Sequence, residues 1–90
     1  MYSLVITESY QKRAKKFFKK HPELLNQYQK IIKILCTNPN HPSLRSHKLS
    51  GKLEGLHSIS INISYRIIIK FIIQNQQIRP IYIGAHDEVY

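Results

Sequence analysis

Between Tyr65 and Ile73 the chain alternates without a break. Tyr65, Ile67, Ile69, Phe71 and Ile73 fall on one side, and Arg66, Ile68, Lys70 and Ile72 on the other. Successive strand side chains point to opposite faces, so this stretch predicts a strand with a core face and a second face bearing Arg66 and Lys70. Its β-branched residues suit a pleated, half-buried surface better than a helix. A similar alternation precedes it: Leu56, Ser58, Ser60 and Asn62 are set against His57, Ile59 and Ile61. Asn62, Ile63 and Ser64 supply the turn between these two strands.

The first half of the chain follows a helical period instead. After a short opening strand over Tyr2–Ile6, Thr7 and Ser9 offer capping hydroxyls and Glu8 suits the helix dipole. A helix to about Lys20 then places Tyr10, Ala14, Phe17 and Phe18 in one apolar stripe. Lys12, Arg13, Lys15, Lys16, Lys19 and Lys20 occupy the rest, which suits either a solvated face or contact with phosphates. Pro22 breaks this helix and opens a second one running to Cys36 or Thr37. Leu24, Leu25, Tyr28, Ile31, Ile32 and Leu35 form its expected buried stripe, and Asn38-Pro39 ends it. Two closely linked helices with facing stripes predict an antiparallel hairpin.

Asn40–Lys52 is polar and basic, the composition of a functional loop. A last strand is expected from Ile78 to Ala85, with Pro80 marking an edge, a bulge or a gap in pairing. Aligning the strands directs Ile59, Ile61, Ile67, Ile69, Phe71, Ile81 and Ile83 at the helices. Ser58, Ser60, Arg66, Lys70, Tyr82, Gly84 and His86 are left on a shallow cationic trough. The expected fold is α+β: an N-terminal strand, a helical hairpin, then a mostly antiparallel sheet of about four strands.

Composition narrows the setting. Ninety residues predict one domain over 1–90 with a single modest core. No apolar run is long enough to span a bilayer and no signal-peptide pattern opens the chain, so no membrane association is expected. Cys36 is alone, which predicts no disulfide, a small core residue and a reducing, cytoplasmic setting. Fourteen Lys and Arg against five Asp and Glu leave a net charge of +9, a field that favours polyanions and also keeps a protein soluble.

No metal motif is present: His41 and His47 are six residues apart in a loop, and His57 and His86 are isolated. There is no glycine-rich phosphate loop and no Cys-His or Ser-His-Asp order. The remaining set suits phosphodiester cleavage without metal or cofactor. Attack by an RNA 2′-hydroxyl needs a base at that oxygen, a cation on the phosphate and an acid at the leaving 5′-oxygen. Histidine is the residue type suited to both proton roles, which makes His47 and His86 candidates, and Arg66 has the fork that fits a phosphate. Taken singly each is compatible with an ordinary surface role; three separate segments converging on one face carry the reading.

These residues also bring a resemblance. A strand and helix hairpin followed by HKLSGKLEGLHSISI, YRIIIKF and a terminal IGAHDEVY resemble the RelE/ParE toxin superfamily across essentially the whole chain. The H-x-L-x-G loop, the YRI strand and the G-x-H-x-x-x-Y ending are most similar to the RelE-like and YafQ-like mRNA interferases. The resemblance implies a type II toxin that cleaves messenger RNA at the ribosome and is neutralised by a cognate antitoxin. It implies catalytic roles for His47, Arg66, His86 and Tyr90, and RNA contact by Lys48, Lys52, Tyr65, Lys70 and Tyr82. The chain departs from the YafQ-like pattern at Ser60 (a second histidine or an arginine), Ser64 (aspartate), Tyr65 (tryptophan) and Tyr82 (arginine). The alternatives are a ParE-like gyrase inhibitor without nuclease activity and, because of Ser60, an inactive relic that only binds antitoxin.

Overall fold

The structure is a computed structural model and describes residues 1–85. Its elements are β1 (Ser3–Leu4), α1 (Glu8–Lys20), α2 (Leu25–Thr37), β2 (His47–Lys48), β3 (His57–Ser60), β4 (Tyr65–Ile72) and β5 (Gln77–Ala85). They form an α+β fold with two helices and a five-stranded mixed sheet ordered β1-β5-β4-β3-β2. β1 runs parallel to β5, and the other pairings are antiparallel. The sheet therefore has one strand more than the sequence pattern suggests. The extra one is β2, whose two polar residues carry no alternation to detect.

The local chemistry explains the helices. Thr7 Oγ1 accepts from the Tyr10 amide at 3.2 Å, Glu8 occupies the first turn, and Lys19 and Lys20 occupy the last. Pro22, lacking an amide hydrogen, starts a 3₁₀ turn over Pro22–Leu24 and not the second helix itself, which begins at Leu25. Leu25 thus lies at a helix end and is exposed, against expectation, while Ile31 and Leu35 are buried. Tyr28 joins the two helices: its hydroxyl is 2.9 Å from that of Tyr10, and its ring packs edge-on against Phe18. Burial pushes both phenols above their ordinary pKa and keeps them neutral. Cys36 is half-buried against the core, with its thiol pKa raised by desolvation.

The core lies between the helices and one sheet face. It comprises Tyr10, Ile31, Leu35, Leu44, Ile59, Ile61, Ile67, Ile69, Ile78 and Ile83. Ile81 does not join it. The β4–β5 register pairs Ile68 with Tyr82 but Ile69 with Pro80, leaving Ile81 as the extra residue of a bulge. Pro80 has no amide hydrogen for the ladder, so the irregularity falls where the chain could not pair regularly. The bulge buries Pro80 and Ile83 and leaves Ile81 42% exposed. Strict alternation missed this, because one inserted residue reverses the facing of everything beyond it.

The second face is not an open trough throughout. Ile68 is 2% exposed there, covered by Leu49, Leu53 and Leu56, with Tyr82 alongside. The covering loop turns through a 3₁₀ segment at Gly51–Leu53 and uses left-handed backbone at Gly51 (φ 65°) and Gly55 (φ 90°), where a side chain would be strained. Ile83→Ala is expected to destabilise the protein by about 2–5 kcal/mol, whereas Ile81→Ala costs about 1 kcal/mol or less. Urea unfolding of the two variants checks the bulge; equal losses would place Ile81 in the core after all.

Candidate functional site

Cross-strand register brings the candidate residues into rows. His47, Ser58, Ile68 and Tyr82 form one row across β2, β3, β4 and β5. The next row contains Ser60, Arg66 and Gly84. Paired strand residues share a face, so His47, Arg66 and Tyr82 project to the same side, away from the main core. His47 is two strands and one same-face step from Arg66, about 12 Å between backbones. Long side chains span much of that distance, leaving room for a phosphate and a ribose. Gly84 puts no side chain beside Arg66, and Ser58 and Ser60 are small and buried.

Ser60 is committed to the turn. Its hydroxyl donates to the Asn62 carbonyl at 2.8 Å, and the Asn62 side chain accepts from the amides of Ser64 and Tyr65, each at 2.9 Å. Ser60, only 6% exposed, thus fixes the loop that starts β4. Ser64 is exposed in that turn.

The remaining candidates are dispersed. Lys52 is exposed in the Gly51–Leu53 segment on the covering loop. Lys70 is exposed on the Arg66 face opposite Arg79, a cation the sequence pattern did not single out. Like charges directly opposite repel, so this pair favours an anion between them. Lys48 pairs with His57 and faces the helix side. Tyr65 also faces that side, with its ring 5.2 Å from Phe17 and 4.7 Å from His21. His86 and Tyr90 lie outside the described residues. Arg13 of α1 is another residue that sequence reasoning did not separate from its neighbours. Its guanidinium lies over the Tyr82 ring at 4.3 Å, tying the helix to the end of the site row.

His57 is held apart from this site. It faces the core side, packs edge-on against Phe71 at 4.8 Å, and has its pKa lowered by burial and then by Lys48. Among the described residues no group of three His, Cys, Asp or Glu is placed to hold a metal ion, and no helix is long and apolar enough to cross a membrane.

Neither a protein-family model nor a curated protein matches the sequence. The fold does match solved structures over nearly the full length of both chains. YafQ from E. coli superimposes with a TM-score of 0.79 at 15% identity, covering 100% of this chain and 99% of YafQ. The YoeB/ParE toxin from Agrobacterium tumefaciens gives 0.77 at 19% identity over 93% of this chain and 98% of that one. The toxin in the E. coli DinJ-YafQ toxin-antitoxin complex gives 0.77 at 19% identity over 99% and 97%. The chain has the fold of these YafQ and YoeB/ParE toxins.

A titration follows from His57. A lowered folded pKa means the unfolded chain binds its proton more readily, so this contribution is present above the ordinary histidine value of about 6.5 and is lost as pH falls through the folded value. The unfolding free energy should decline on acidification below pH 6.5, and His57→Gln should flatten that decline. Chemical denaturation from pH 7.5 to 5 measures it; an unchanged slope in the variant would remove His57 as its source.

Proposed function

We propose that this protein is the toxin of a type II toxin-antitoxin pair and acts as a metal-independent endoribonuclease on messenger RNA at the ribosome. The observation that supports it best is the placing of Arg66, between Ser60 and Gly84, on the same sheet face as His47. In this reading the ribose 2′-oxygen attacks phosphorus while a histidine removes its proton. Negative charge grows on the non-bridging oxygens, where the Arg66 fork meets it with paired N–H donors. A second histidine protonates the departing 5′-oxygen, leaving a 2′,3′-cyclic phosphate and a free 5′-hydroxyl.

His47 and His86 are assigned the two proton roles, with Tyr90 as the terminal aromatic at the reacting nucleotide. Lys52, Lys70 and Tyr82 are proposed to hold the flanking RNA on this face; Lys48 and Tyr65 point to the other side of the sheet. The +9 charge steers the protein to the polyanionic ribosome. A cognate antitoxin is the proposed regulator, since the YafQ and YoeB folds are found in complexes with DinJ and YefM. An antitoxin that combines acidic and apolar positions suits this surface.

Primer extension on a translated messenger, with purified protein and ribosomes, tests the assignment. Wild-type protein should give ribosome-dependent cuts. Arg66→Ala should reduce them about 10²- to 10³-fold, and His47→Ala or His86→Ala about 10²- to 10⁴-fold, with circular dichroism unchanged. No cuts from the wild type, together with inhibition of gyrase supercoiling, would replace this reading with the ParE-like one.

A further inference from the structure

A cleft of about 340 Å³ lies between α1 and the end of β5, beyond the short β1. One wall carries Arg13, Lys16, Lys20 and His21; the other includes Tyr65, Tyr82 and the backbone through Gly84 and Ala85. Arg13, Lys16 and Lys20 recur at i, i+3 and i+7, one flank of the helix beside its buried stripe. Lys12, Lys15 and Lys19 occupy the other flank, where Lys12 meets Glu8 at 3.8 Å. No acidic residue lines the cleft among the described residues. His21 Nδ1 lies 3.5 Å from the Glu23 carboxylate. Cations at i, i+3 and i, i+4 repel one another, so the helix bears a local destabilisation that a bound anion would relieve.

The cleft also adjoins the candidate site. Gly84 lines it and pairs with Arg66, and Tyr82 lines it while ending the row that begins at His47. The Arg66 backbone is therefore one strand spacing, about 5 Å, from the cleft wall. Arg13 contributes more than charge. Its guanidinium is already stacked on Tyr82, a geometry in which a planar cation presents donors at its edge and a face for a base. An acidic helix would need apolar anchor pockets; this lining supplies cations and aromatic planes instead.

We propose that the α1–β5 cleft is a nucleotide subsite: Arg13, Lys16 and Lys20 bind the backbone phosphate next to the one at Arg66, and the base lies against the Arg13–Tyr82 stack. The subsite deepens the RNA-cleaving reading and rests on it for the identity of the strand. It selects single-stranded RNA by phosphate and base plane, without reading base edges.

The test is fluorescence anisotropy with a labelled single-stranded RNA whose 2′-hydroxyls are methylated, so that it binds without being cut. The cleft triple Arg13→Gln/Lys16→Gln/Lys20→Gln is compared with Lys12→Gln/Lys15→Gln/Lys19→Gln, which removes the same charge from the other flank. The cleft triple should weaken binding about 10-fold or more near 0.1 M salt and lower the salt slope by about 0.7, as one lost single-strand phosphate contact requires. The flank triple should change affinity by less than about 3-fold. Equal loss in both triples overturns the subsite and leaves only a diffuse positive field. So does loss of polyglutamate binding in the cleft triple with RNA binding intact, which would assign the cleft to an acidic protein. Arg13→Lys keeps the charge and should still weaken binding; full retention overturns the stacking role. Cleavage is scored separately. Wild-type cutting with an unaltered KM in the cleft triple rejects the subsite but not the nuclease, whereas a binding loss confined to the cleft triple, with no cutting by the wild type, supports the subsite and rejects the nuclease.

Discussion

Burial of Ile67 and Ile69 fixes where Arg66 can be. A strand has only two sides, so seating those two isoleucines against Ile59, Ile78 and Ile83 sends Arg66, Ile68 and Lys70 to the other. β4 is paired along both edges, to β3 and β5, and cannot slip by one residue without exposing its whole core set. The side of the sheet from which Arg66 projects is thus set by packing that has nothing to do with RNA. That is the preorganisation a phosphate clamp needs, because its donors must be aimed before charge develops.

The far side of the sheet is divided by the same alternation. Ile68 follows Ile67 and must go somewhere, and the leucines of the Leu49–Leu56 loop cover it. This small second core anchors the loop that carries Lys52 and continues from β2, which carries His47. Leu49 donates its amide to the Leu56 carbonyl at 3.0 Å, so the β2–β3 ladder is prolonged into the loop. A two-residue edge strand would be weak alone. Joined to a buried Ile68 it gives His47 a defined station relative to Arg66.

The sequence was most informative where its period was regular and the residues stood between two partners. The faces of β3 and β4, the stripe of α1 and the helix stop at Pro22 all follow from spacing and backbone chemistry. Ile81 was misplaced because a bulge resets the count, and Pro80 gave its approximate location without its phase. Leu25 was misplaced because helix membership does not say which end reaches the core. β2 was invisible because His47 and Lys48 pair by register with β3 and bury nothing. The α1 cations were visible as a group, but their division into two flanks depends on where β5 ends. The same limit applied to Tyr65, whose parity is clear in the sequence while its neighbours Phe17 and His21 are not.

The departures from the YafQ-like pattern bear on how the site balances charge. Ser60 stands in the row of Arg66, yet its hydroxyl serves the Asn62 turn, so it offers a transferable proton poorly. His57 cannot substitute, because it faces the other side of the sheet and packs on Phe71. Tyr82 brings no cation of its own, but Arg13 lies on its ring and returns a guanidinium to that end of the row from a different element. A cation supplied by a helix is as effective electrostatically as one supplied by the strand, provided it is held, and the cation–π contact holds it. Among the described residues, the sheet face then carries Arg66 with His47 on the same side. Substituting any residue that positions β4, such as Ile67 or Ile69, would displace Arg66 through orientation and not through charge.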